Sequence, residues 1–145
     1  MAEQLIPARA VVAGDAEGEA IVTNDPLSFW GGYDFHTGEI IDRHHPLAGT
    51  RVGGRILAVP FSKGSSTTTA VLLEAVRAGT APAAILTTGV DSFFALASIV
   101  ADVMYGTPFP VLALEPGDFA RLRTGDRLRI DASGLIRSAA HAETR

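Results

Sequence analysis

Three apolar runs alternating with two helical runs fill the middle of the chain, and they restrict its fold more than any other feature. "GRILAVP" (54–60), "PAAILTT" (82–88) and "PFPVLAL" (108–114) are almost continuous apolar stretches marked by Gly or Pro, the pattern of strands buried on both faces. Between them, "TTTAVLLEAVRAG" (67–79) and "DSFFALASIVADVMYG" (91–106) read as helices. Ser65 or Ser66 is a natural N-cap for the first and Gly79 a natural stop. Asp91 or Ser92 and Gly106 do the same for the second. Strand, helix, strand, helix, strand predicts a parallel α/β core.

The flanks add antiparallel β-structure. "ARAVVAGDAEGEAIVT" (8–23) reads as a β-hairpin turning at Gly14–Gly18, and "RLRIDASGLIRS" (127–138) as a closing hairpin around Ser133-Gly134. "PGDFARLRTGD" (116–126) is a turn with one turn of helix, and the four Arg of "RLRTGDRLRI" read as a solvated face or subunit rim. The expected fold class is α/β: a short parallel sheet, flanking β-hairpins and two main helices. One domain spans 1–145, with about residues 1–7 and 138–145 expected to fray.

Composition excludes several function classes. Apolar residues make up 47% of 145, which supports a folded core rather than disorder. There is no Cys, so the chain offers no disulfide, no thiol nucleophile and no thiolate ligand for an iron–sulfur cluster. A net charge of −4 without a basic run argues against nucleic acid as partner. No apolar stretch reaches the roughly 18 residues of a membrane span, and "MAEQLIPARA" has no signal-peptide core. The expected location is cytoplasmic.

Two regions carry candidate chemistry. The first is "SKGSSTTT" (62–69), five consecutive hydroxyl residues after Gly64 at a strand-to-helix junction. Free backbone N–H groups and a dipole equivalent to about +0.5 charge make such a junction receptive to anions. Capping needs only one hydroxyl, and three successive Thr lower helix propensity, so capping alone explains the run poorly. A Walker-type phosphate loop requires Gly-Lys-Ser/Thr, whereas Lys63 precedes Gly64 and the earlier Gly is missing. An active-site hydroxyl for an anionic substrate is the third reading.

The second region is 24–54, rich in Gly, Pro, Asp and His, with one short strand candidate at 39–41. So long an irregular stretch is usually functional or disordered; Phe29, Trp30, Tyr33 and Phe35 argue against disorder. In "PLSFWGGYD", Phe29 and Trp30 either pack the loop on the core or serve function, with Gly31-Gly32 presenting backbone to substrate, Ser28 hydrogen-bonding it and Trp30 meeting a partner. "DFHTGEIIDRHHP" gathers three acidic residues and three histidines: Asp34, His36, Glu39, Asp42, His44 and His45. Adjacent histidines do not converge on one ion from regular structure, so no metal site is expected.

"DPLSFWGGYDFHTGEIIDRHHPLAG", "GRILAVPFSKGSSTTTAVLLEAV" and "APAAIL" closely resemble the small subunit, or swivelling domain, of the aconitase X family, over residues 8 to 115. The resemblance implies a swivelling β/β/α domain that closes over a larger, iron-containing subunit. It also implies a dehydratase that removes a proton beside a carboxylate and expels a neighbouring hydroxyl. It assigns Ser65 as the proton-abstracting base. Ser66, Gly64, Thr67, Ser28, Gly31, Gly32 and His45 are the implied substrate-binding residues. Aconitases have Arg after the Ser pair where this chain has Thr67, so a different acid substrate is implied. His45-Pro46-Leu47 with Gly49, then Gly54-Arg55-Ile56-Leu57 and Ser66, resemble the branch that dehydrates cis-3-hydroxy-L-proline; mevalonate 5-phosphate is the alternative. The large subunit would hold the iron–sulfur centre, and no cofactor is expected on this chain. A helix N-terminus contributes at most about 2 kcal/mol, and a pKa change of one costs about 1.36 kcal/mol. That cannot make a Ser alkoxide, so the site requires another chain. Thr68, Thr69 and His44 have no role at this level. A non-catalytic anion- or partner-binding swivel module is the reading of a different class; phosphocarrier versions need a His at a helix start, where this chain has Ser and Asp.

Overall fold

The computed structural model describes residues 3–63 and 66–139. Strands β1 (Gln4–Ile6), β2 (Arg9–Val12) and β3 (Ala16–Val22) open the chain. The loop region holds the short strands β4 (Leu27–Ser28), β5 (Tyr33–Asp34) and β6 (Glu39–Ile40). The core follows as β7 (Ile56–Ala58), β8 (Ser62–Lys63), α1 (Ser66–Ala78), β9 (Ala84–Thr88), α2 (Ser92–Tyr105) and β10 (Val111–Leu114). A short α3 (Pro116–Phe119), β11 (Arg127–Ile130) and β12 (Ile136–Ala139) close it.

The expected parallel core is present. β3, β7, β9 and β10 run parallel in that order, with β2 antiparallel on the far side of β10 and β11, β12 and β1 continuing antiparallel beyond β3. Successive side chains on each central strand feed opposite layers. Leu57, Val59, Ile85 and Val111 face α1, α2 and the 24–54 loop. Ile56, Ala58, Ala84, Leu86 and Leu112 instead meet Ile6, Leu128, Ile130 and Ile136 from β1, β11 and β12. Helices, parallel strands and antiparallel strands thus form the three layers of a β/β/α domain.

The N-terminal hairpin does not form. β2 pairs with β10, and β3 pairs with β11 and β7. The glycines read as turn residues serve close packing instead. A Cβ on Gly14 would sit 3.2 Å from Pro110, and one on Gly18 would sit 3.3 Å from the Gly54 carbonyl; neither has the positive φ that a tight hairpin demands. The consequence is global. Four strand spacings of about 4.8 Å separate β3 from β2, about 19 Å in a flat sheet. The four residue steps from Val12 to Ala16 reach about 14 Å at most. The sheet must fold back on itself, as the shared β1–β11–β12–β7–β9–β10 core requires.

The closing hairpin forms as expected, β11 against β12 with Ile130 opposite Ile136. Within the segments expected to fray, Gln4–Ile6 pair with residues 136–138 and Ile6 is fully buried; residues 1–2 and 140–145 lie outside the described residues. Among the described residues no helix is long and apolar enough to cross a membrane. All four Arg of the 121–129 segment are exposed, with Arg121 pairing Asp118 and Arg127 pairing Glu17.

The 24–54 loop is ordered against the helix layer. Phe29 is fully buried, stacks on Tyr33 at 5.0 Å and meets Phe94 of α2 edge-on at 5.6 Å. The Tyr33 hydroxyl donates to the Thr80 carbonyl (2.8 Å), and the Thr80 hydroxyl donates to the Phe35 carbonyl (2.6 Å). The loop is thereby tied to the end of α1, where the Thr80 N–H reaches back to the Ala75 carbonyl past Gly79 (φ 78°).

Candidate active site

β8 and α1, the described segments on either side of residues 64 and 65, follow the carboxyl end of the parallel strand β7, the end of an open α/β sheet at which ligands bind. The chain leaves β7 at Ala58, and the Pro60 carbonyl accepts from both the N–H and the hydroxyl of Thr88 at the end of β9 (3.1 Å each). β8 then pairs in parallel with β4, with Leu27 opposite Ser62 and Ser28 opposite Lys63. α1 begins at Ser66. Gly64 and Ser65, and the side chain of Ser66, lie outside the described residues. The structure therefore brings Ser28 beside the stretch that leads into the Gly-Ser-Ser run, although 34 intervening residues separate Ser28 from Lys63 in sequence.

Two Thr without an assignment from sequence acquire partners here. Thr68 is fully buried and donates to the Lys63 carbonyl (2.9 Å), tying α1 to β8. Thr69 is buried and donates to the Phe93 carbonyl (3.1 Å), tying α1 to the first turn of α2. Thr67 is half-buried on the same turn. Asp91 is the N-cap of α2, as its position predicts: one carboxylate oxygen accepts from the Phe93 and Phe94 N–H groups (3.1 Å each). The other accepts from both the N–H (2.7 Å) and the hydroxyl (2.9 Å) of Ser62. That second role escaped the sequence. The available signal was a capping carboxylate at an inter-strand junction with one oxygen still to satisfy.

The loop residues divide. Trp30 is 70% exposed and does not pack on the core, whereas Phe29 does. Gly31 has φ 75°. A Cβ on Gly32 would lie 2.2 Å from the Ser28 carbonyl oxygen, so only glycine allows this approach of backbone to backbone. The Ser28 hydroxyl donates to the Trp30 carbonyl (3.3 Å), closing the same turn. His45 is buried. Its Nδ1 accepts from the Leu47 N–H (3.0 Å), which puts a neutral ring's proton on Nε2, 3.4 Å from the Asp25 carbonyl. Its visible work is to fasten the 45–47 turn to the chain just before β4. His44 takes part in a turn in which its N–H donates to the Asp42 carboxylate (3.0 Å). Among the described residues no group of three or more His or acidic side chains could hold a metal ion. Lys63 is exposed, so solvent screens its charge.

Among the described residues this region brings Ser28 beside the exposed Lys63, with Trp30, Phe61 and Val90 exposed close in sequence to Ser28, Lys63 and Asp91 respectively.

Comparison with known proteins agrees with this geometry. The family model for the aconitase X swivel domain matches residues 5–138. The chain is 48% identical over 110 residues to cis-3-hydroxy-L-proline dehydratase of Pseudomonas aeruginosa, covering 76% of this chain and 19% of that protein. The chain therefore spans about a fifth of that relative's length. It is 39% identical over 124 residues to the phosphomevalonate dehydratase small subunit of Thermococcus gammatolerans, covering 86% of this chain and 88% of that one. Among solved structures, aconitase X of Thermococcus kodakaraensis (holo-form) superposes with a TM-score of 0.81 at 33% identity, over 93% of this chain and 98% of that one. On sequence and fold together, this chain belongs to the aconitase X swivel-domain family.

Proposed function

We propose that this chain is the small subunit of an aconitase X-type dehydratase, a carbon–oxygen lyase that acts on cis-3-hydroxy-L-proline. Position carries the reading. β8 ends at Lys63 with Ser28 in register opposite it, and α1 begins at Ser66, after the carboxyl end of the parallel strand β7. Ser65 would take the proton from carbon 2 of the substrate, and the hydroxyl would leave carbon 3 as water. The enamine left behind would tautomerise to a cyclic imine. Ser66, Gly64 and Thr67 at the start of α1 would hold the substrate carboxylate, assisted by the helix dipole. Ser28, with Gly31 and Gly32 shaping its turn and His45 anchoring the chain before it, would line the same edge.

The remaining chemistry belongs to a large catalytic subunit. The chain has no Cys, so a thiolate-bound iron–sulfur cluster would be held by that subunit, where a Lewis-acidic iron would assist loss of the hydroxyl. Exclusion of water on closure would raise the effect of every local dipole on Ser65. Exposed Trp30 and Phe61 flank the site and would meet that partner.

The specific alternative is mevalonate 5-phosphate. It is favoured by the match to 88% of a phosphomevalonate dehydratase small subunit, and the hydroxyproline reading by the higher identity of 48%. Expression with the large subunit, followed by assays of both compounds, tests the proposal. Loss of cis-3-hydroxy-L-proline with formation of the cyclic imine is expected. Turnover of mevalonate 5-phosphate alone would transfer the assignment to the second substrate, and turnover of neither would overturn the dehydratase reading.

A further inference from the structure

The partners of Asp91, Thr68 and Thr69 join into one closed ring. From Ser62 the ring runs along the backbone to Lys63, whose carbonyl accepts from Thr68 (2.9 Å). It passes to Thr69, whose hydroxyl donates to the Phe93 carbonyl (3.1 Å). The Phe93 N–H returns to one oxygen of Asp91 (3.1 Å), and the other oxygen accepts twice from Ser62 (2.7 and 2.9 Å). Three elements distant in sequence, β8, α1 and the first turn of α2, are therefore locked together through side chains. The ring closes on both sides of residues 64–66. Asp91 is its hub, making four hydrogen bonds while only 9% exposed. A capping carboxylate needs only the two helix amides. The two further bonds to Ser62 leave α2 and hold the strand that feeds the candidate base.

We infer that Asp91 is a positioning residue for the candidate site: through Ser62 it fixes where Lys63, the residue that precedes Gly64, stands relative to α1 and α2. This rests on the proposed function for its catalytic consequence and on the ring geometry alone for its structural one. Misplacing a catalytic group by about 1 Å can cost a hundredfold in rate, and the ring restricts displacement of that kind.

Asp91→Asn tests it, because the amide keeps size and one acceptor but presents N–H donors to one of the two donor pairs. In the reconstituted complex, kcat is expected to fall between about tenfold and a hundredfold with KM within about threefold. Gly106→Ala is the control: it strains the left-handed residue ending α2 (φ 69°) far from the ring, so it lowers thermal stability and leaves kcat unchanged. An Asp91→Asn enzyme with wild-type kcat, or a kcat loss matched by Gly106→Ala, would overturn the inference. Hydrogen exchange on the isolated chain needs no activity. Asp91→Asn is expected to speed exchange at Ser62 and at residues 67–69 together, while β9 and β10 stay protected. Unchanged exchange at those sites in a folded variant would also overturn it. Failure of the function proposal reads differently, as a wild-type complex inactive on both substrates whose exchange response to Asp91→Asn persists.

Discussion

Gly32 has the least freedom of any described residue at the candidate site, since an added methyl would overlap the Ser28 carbonyl. Gly32→Ala is expected to destabilise the chain by about 1–3 kcal/mol, read as a lower midpoint in denaturant. It should also weaken the β4–β8 pairing, because the carbonyl that must move belongs to β4. Tyr33, one residue on, makes a different prediction. Burial pushes its phenol well above the ordinary tyrosine range, and ionisation would remove its hydrogen bond to Thr80. The unfolded chain releases this proton near pH 10 while the folded chain retains it. The stabilising contribution is therefore complete below about pH 10 and is lost as the pH rises toward the raised folded value. The chain has two Tyr, so a Tyr105→Phe variant isolates the signal. Phenolate absorbance should appear only together with unfolding; a reversible phenolate near pH 10 in folded protein would contradict this. The polar partners of Thr68 and Thr69, and the bonds of Asp91 to Ser62, were not legible from sequence. A hydroxyl or carboxylate names its capacity to bond, but Ser62 and Asp91 lie 29 positions apart, and only the packing of α1 against α2 decides that they meet.

At the scale of elements, periodicity and punctuation were sufficient wherever local signals agreed. Asp91 and Gly106 bound α2 as cap and stop, and continuous apolar runs became strands buried on both faces. The failed hairpin shows where that reasoning ends. "GDAEG" has turn composition, yet β2 finds β10 and β3 finds β11 and β7 because each strand buries more apolar surface there than in a two-stranded ribbon. The 24–54 loop is a second case. Its few strand residues gave little pattern, while its aromatic residues correctly argued for order, and Phe29 and Tyr33 supply it by packing against Phe94. Phe94→Ala removes the ring on which loop and α2 converge. It is expected to cost about 3–5 kcal/mol, and proteolysis of the loop should accelerate with the loss of global stability. Wild-type stability in that variant would show that the loop is held by other contacts.

At the scale of the whole molecule, the fold brings β4 beside β8 and leaves the neighbouring Trp30 and Phe61 exposed. The fold class was legible from the strand–helix alternation. The substrate was not, because on the proposed function the groups that would discriminate hydroxyproline from mevalonate 5-phosphate would belong to the other chain. Trp30, 70% exposed beside Ser28, should report on that partner. Trp30→Ala is expected to weaken association with the large subunit by about 2 kcal/mol, roughly thirtyfold in Kd, with little change in the stability of the free chain. Unaltered affinity would remove Trp30 from the interface. The central claim is that this chain contributes the proton-abstracting hydroxyl of a two-chain dehydratase, and one comparison tests it most directly. Turnover of cis-3-hydroxy-L-proline is measured for the large subunit with wild-type chain and with Ser65→Ala at matched complex concentration. The account predicts activity only when both chains are present, and a fall in kcat of at least about a hundredfold in the variant. Near-normal turnover by the Ser65→Ala complex, or full activity of the large subunit alone, would contradict it.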